Sequence, residues 1–109
     1  ACHWASIDQL TYFDAIPVRE RIVEDRNRFS GGGVTSGIDF ALALAARIRG
    51  EDFARFIQLS IEYDPHPPFD AGSPDKVPPH ILERYYKMVE KAAPDRHATV
   101  KAIAQSLGF

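Results

Sequence analysis

Apolar positions along this chain fall into one continuous block and several spaced sets. Between Ile38 and Ile48 the only charged residues are Asp39 and Arg47. That block predicts a helix with most faces buried, a central helix and not a surface one. It is fed by Gly31, Gly32 and Gly33, which permit positive φ and close backbone approach. Ser36 and Asp39 follow at capping-box spacing, so each is expected to satisfy one orphan backbone donor. Beyond Gly50, which has a helix-ending role, Phe53, Phe56, Ile57, Ser60 and Ile61 recur at three- and four-residue spacing. They predict a second helix from near Glu51, ended by Asp64-Pro65. Pro79 suits the first turn of a third helix through Ile81, Leu82, Tyr85, Met88 and Val89, stopping before Pro94. Asp95 is placed to cap a fourth, from Arg96 to Leu107, with Gly108 as its stop.

Shorter patterns precede and separate these helices. Ser6-Ile7-Asp8-Gln9 has the Ser-x-x-Gln form of a helix start and predicts a short helix to about Phe13. Residues 18–24 bring β-branched side chains, residues 25–27 a polar turn, and residues 28–30 a returning strand, which reads as a hairpin or two short strands. The prolines of 65–74 rule out helix or central strand there and predict a rigid loop, on the surface or over a partner. The tally is four or five helices and three short strand pieces. Those are too few strands to make a sheet for the central helix to pack on. The chain therefore reads as part of an α/β layer structure, the alternative being a self-contained helical domain with a hairpin.

Composition narrows the partners. With 109 residues, 45% of them hydrophobic, the chain is one soluble, globular domain with a modest core. A net charge of −2 gives no basic field for nucleic acid, and no apolar run is long enough to span a bilayer. One cysteine cannot form an internal disulfide, so a reducing cytoplasmic setting is expected. The start at Ala1 fits either methionine removal or a beginning in the middle of a longer fold.

The glycine turn is the main candidate for chemistry. Backbone N–H groups at the start of the central helix and the positive end of its dipole suit an anion or thiolate. The alternative is a tight turn before a core helix. Cys2 reads as a small buried apolar residue. His66, His80 and His97 have no metal-ligand spacing and read as surface residues, so no metal site is expected.

Ala-Cys-His-Trp at 1–4, Val-Glu-Asp-Arg-Asn-Arg-Phe-Ser-Gly-Gly-Gly-Val-Thr-Ser-Gly-Ile-Asp-Phe-Ala-Leu at 23–42 and Glu-Tyr-Asp-Pro-His-Pro-Pro-Phe at 62–69 stand in this order. With them the chain resembles the ThiJ/PfpI superfamily, and within it the isonitrile hydratases. The resemblance runs from Ala1 into the fourth helix and matches the C-terminal half of the family's single domain. It implies a flavodoxin-like, class I glutamine amidotransferase-like three-layer α/β sandwich, mostly helical in this segment. The family's cysteine nucleophile, on a strained strand-to-helix elbow, would lie upstream of Ala1.

The resemblance also assigns roles. His3 corresponds to the histidine near the nucleophile in many members, as a proton acceptor or relay or a thiolate-stabilising cation. The N–H groups of Gly32, Gly33 and Val34 would stabilise a thiolate or anionic intermediate, with Trp4 and Thr35 as pocket wall. Asp39 is best explained as a cap. The implied reaction is hydration of a small-molecule isonitrile to an N-substituted formamide, without a cofactor. The implied partners are the N-terminal half of the same protein and a second copy in a homodimer. Rival readings are a ligand-sensing domain of AraC-type regulators, which share Gly-Val-Thr-Ser-Gly-Ile-Asp, and a glyoxalase- or chaperone-like member of the same superfamily.

Overall fold

The structure is a computed structural model describing residues 1–109. A 3₁₀ helix, Trp4–Phe13, is followed by an antiparallel hairpin of β1, Ile22–Asp25, and β2, Arg28–Gly31. Four α-helices complete the chain: α1, Ser36–Arg49; α2, Glu51–Ser60; α3, Pro79–Ala92; and α4, Arg96–Ser106. A short 3₁₀ turn, Pro74–Lys76, lies in the connection before α3.

The first helix ends at Phe13 as expected, is 3₁₀ in type, and departs from the expectation in its start and cap. Trp4, Ile7, Leu10 and Phe13 recur every third residue, and 3₁₀ geometry stacks residues three apart on one face. The His3 ring caps it, Nδ1 accepting the Ala5 N–H at 3.2 Å. The Ser6/Gln9 capping box does not form, because the helix already begins two residues before Ser6. Ser6 Oγ and Gln9 Nε2 are instead buried without a partner. Asp14, with φ of 52°, turns the chain out of the helix.

The hairpin is as short as the sequence suggests, with Asp25 opposite Arg28 and Arg26 taking a positive φ of 56° in the two-residue turn. An isolated hairpin is marginal in water. This one leans on α1, with Phe29 edge-on to Phe40, their centroids 6.1 Å apart. The third strand piece is absent. Pro79 opens α3 as expected, and Gly50 and Gly108, with φ of 88° and 89°, follow the last turns of α1 and α4. Asp95 stands at the start of α4 but makes no side-chain cap bond.

The expectation of a buried central helix fails within this chain. Ser36 is the one fully buried residue of α1, and Ile38 and Ile48 are 42% and 67% exposed. Only 5 of 109 residues are buried, with Ile7, Ala54 and Ala104 the only apolar ones. Accessible surface is 8674 Å², against roughly 6,100 Å² for a compact monomer of this mass. The radius of gyration is 16.9 Å, where about 13 Å is usual for this length. A slab 20 Å thick, with extents of 45 and 38 Å, has apolar side chains on faces that nothing in the chain covers. No helix is long and apolar enough to cross a membrane.

The surface excess generates a prediction. Expressed by itself, this 109-residue chain should bind a dye that reports exposed apolar surface and should lack a cooperative thermal transition. A monomer that melts sharply, with an enthalpy of about 60–80 kcal/mol, would show that the slab closes its own core.

Candidate functional site

A cleft of about 590 Å³ lies where the start of the first helix, the approach to β1, the glycine turn and residues 72–75 meet. One side is formed by Cys2, His3, Trp4 and Ile7. Across from them stand Arg19, Glu20 and Arg21, and then Gly32, Gly33, Val34 and Thr35. All six residues expected at a site, His3, Trp4, Gly32, Gly33, Val34 and Thr35, thus line one concavity.

Local bonding sets what each can offer. The Gly32 N–H continues the hairpin ladder by donating to the Arg21 carbonyl at 2.9 Å. The Gly33 N–H donates to Ser36 Oγ at 3.1 Å, and that hydroxyl donates back to the Gly33 carbonyl at 2.6 Å. Two of the three expected backbone donors are therefore engaged inside the protein. The N–H groups of Val34 and Thr35 have no protein partner, so the donor pair free to meet a ligand lies one step further along the turn than expected.

The glycines matter through space and not through positive φ, which none of the three adopts. A Cβ on Gly32 would lie 2.9 Å from the Glu20 carbonyl oxygen, a backbone atom that cannot easily move. At Gly33 the nearest atom would be His3 Cδ2 at 3.9 Å, ordinary contact. Gly32 is thus sterically required and Gly33 is not.

His3 is held by its cap and by aromatic neighbours. Nδ1 accepts from Ala5, so the neutral ring carries its proton on Nε2. Its Cδ2 corner, adjoining Nε2, faces Gly33. The ring stacks on Tyr85 of α3 with centroids 6.4 Å apart, and Trp4 packs on the same tyrosine at 4.7 Å. Cys2 is half-buried, not fully buried as expected. Its thiol approaches only the His3 carbonyl, at 3.6 Å.

Both arginines of the cleft wall are paired. Arg19 meets Asp8 at 2.8 Å, and Arg21 meets Asp39. The Asp39 hydrogen bond raises the Arg21 pKa, outweighing the opposing effect of burial, so this group stays cationic. The Ser73 hydroxyl, then the residue's own backbone N–H, hold the Asp75 carboxyl below its usual range. An Asp70 hydrogen bond raises the pKa of the neighbouring Lys76. A depressed carboxyl contributes above its ordinary pKa and loses that contribution as pH falls through the folded value, so the 72–75 lip should loosen only in acid. No group of histidine, cysteine and carboxylate side chains is arranged to hold a metal, and His66, His80 and His97 are exposed.

Asp39 does not act as the expected helix cap. Its carboxylate accepts from Arg21 Nε and, at 2.8 Å, from the Tyr63 hydroxyl. Sequence reasoning also passed over residues 19–21 and 72–75 as cleft wall, since nothing in their local pattern separates them from ordinary loop.

Gly32→Ala and Gly33→Ala should separate cleanly. The first is expected to cost roughly 1–3 kcal/mol, as overpacking does, and the second to lie within about 0.5 kcal/mol of wild type. Equal melting temperatures for the two variants would contradict the steric assignment.

No family model matches the chain. It is 51% identical over 92 residues to an isonitrile hydratase of Pseudomonas putida, a match covering 84% of this chain and 39% of that protein. It superposes on a crystal structure of a ThiJ/PfpI family protein from Pseudomonas syringae with a TM-score of 0.82 and 41% identity, covering 98% of this chain and 41% of that one. The chain spans about two fifths of the length of each of these relatives.

Proposed function

We propose that this chain, ThiJ/PfpI-like in fold and isonitrile hydratase-like in sequence, is the C-terminal part of one hydratase domain, with residues 1–109 completing a flavodoxin-like α/β sandwich. The observation that carries the reading is the meeting of His3, Trp4, Val34 and Thr35 in one cleft, in a chain half identical to an isonitrile hydratase. The apolar faces of α1 and α2 then pack on the part of the domain that precedes Ala1. A second copy makes a homodimer, with the loop 65–74 near its boundary, in a cytoplasmic enzyme that uses no cofactor.

The reaction converts an isonitrile and water to an N-substituted formamide. A cysteine thiolate from the preceding part of the domain attacks the terminal carbon, and that carbon takes up a proton to give a thioimidate. Water adds to the same carbon, the carbon–sulfur bond breaks, and the thiolate returns as the formamide leaves. The N–H groups of Val34 and Thr35, which no protein group accepts from, serve as the donors that stabilise the thiolate or an anionic adduct. His3, its Nδ1 occupied by Ala5, presents the Nε2 proton as a donor. Cys2, whose thiol hydrogen-bonds only the His3 carbonyl, has no part in the chemistry.

The test uses the complete protein and an alkyl isonitrile, following loss of the isonitrile infrared stretch together with formamide formation. His3→Ala should lower kcat roughly 100-fold or more, the usual scale of a positioned acid or base. Cys2→Ala should retain turnover within about twofold. Turnover that vanishes with Cys2 and survives loss of His3 would reverse both assignments. Absence of any formamide from the wild-type enzyme would sink the hydratase reading itself.

A further inference from the structure

Asp39 lies outside the cleft wall, yet its carboxylate joins three segments that are distant in sequence. Arg21, just before β1, donates through Nε to Oδ2, and Tyr63, just after α2, donates to Oδ1 at 2.8 Å. The same guanidinium reaches past Asp39 to donate through Nη2 to the Thr35 carbonyl at 3.1 Å. Tyr63 also opens the connection that returns as the 72–75 lip. A helix cap would require neither partner.

The segment 33–36 is thereby gripped from both ends. On one side, Ser36 holds both polar atoms of the Gly33 backbone, through its hydroxyl and through its own N–H, which donates to the Gly33 carbonyl at 3.1 Å. On the other, Arg21 holds the carbonyl of Thr35. Between them stand the two N–H groups that have no partner in the protein. A guanidinium alone at this helix start would oppose the positive end of the dipole, and the Asp39 carboxylate offsets it. The Arg21 side chain is 54% exposed, so the ion pair itself adds little stability.

We propose that Arg21, Asp39 and Tyr63 form a positioning unit that holds the Thr35 carbonyl, in the peptide just after the free donors, and together with the Ser36 grip on the Gly33 carbonyl keeps the Val34 and Thr35 N–H groups turned to the cleft. This rests on the reading above that those donors meet an anionic species. The unit ties the donors to the chain that forms the opposite lip, so that the two walls of the cleft keep one spacing. Its loss shows in turnover before it shows in folding.

The experiment compares Tyr63→Phe, Asp39→Asn and their double variant with wild type and with Lys87→Ala on exposed α3, all in the complete protein. Each single variant should lower kcat roughly 10- to 100-fold, the scale of a small misplacement, with KM changed by less than about twofold. Melting temperature should stay close to wild type, and the double variant should be no worse than Asp39→Asn alone, since both changes cut one chain of contacts. Independently of activity, the amide resonances of Val34 and Thr35 should shift in Tyr63→Phe and stay fixed in Lys87→Ala. Unmoved amides, or additive losses of kcat, would overturn the proposal. If wild type hydrates no isonitrile, the function reading falls and the amide shifts alone decide the positioning role.

Discussion

The close approach of Gly32 to the strand beside it is the constraint from which the cleft follows. With no Cβ at Gly32, its N–H reaches the Arg21 carbonyl and its backbone passes the Glu20 carbonyl, so the hairpin extends one step beyond β2 before the chain turns. That step sets the position of Gly33, which Ser36 then grips, and hence the direction in which α1 leaves. A side chain at Gly32 would push the turn away from residues 20 and 21, and with it the two free donors. Three glycines in a row suggest conformational freedom, but what Gly32 supplies here is clearance.

What the sequence made legible was the regular part. A Pro at a first turn, a Gly after a last one and an uninterrupted apolar block are signals that act through local sterics, and α1, α3 and α4 fall where those signals put them. The first helix ends where expected, but its cap does not follow Ser-x-x-Gln, which a 3₁₀ helix with period-three apolar residues can also contain, because the His3 ring takes the cap. Asp39 departs from its expected capping role for a related reason. Capping boxes are a local pattern, whereas its partners Arg21 and Tyr63 come from 18 and 24 residues away. The cleft's second wall, residues 19–21 and 72–75, depends on the same kind of long-range return, which no spacing rule encodes.

The flat shape and the uncovered apolar residues belong to one fact. An open layer has two faces, and a helix as apolar as α1 is stable only when both of its sides are occupied. Here β2 and α2 cover part of it, and the remainder, with Phe56 and Leu59 of α2 at 66% and 80% exposure, stays in solvent. The Pseudomonas putida hydratase and the Pseudomonas syringae ThiJ/PfpI protein are each about two and a half times as long as the portion matched, so most of each lies outside the region this chain corresponds to.

This division of labour explains why the cleft can be well formed in a chain whose core is not. The cleft is built from backbone: a ladder bond at Gly32, a hydroxyl grip at Gly33, a guanidinium on the Thr35 carbonyl, and a ring nitrogen capping the helix that carries Trp4. Each of these bonds forms between groups within this chain and does not wait on burial of the α1 and α2 faces. Hydrophobic burial, by contrast, is cooperative over a whole layer and is incomplete until the layer is covered. The site's geometry and the fold's stability therefore rest on different interactions. A change at Asp39 or Tyr63 acts on the first, and a change at Phe56 or Leu59 acts on the second.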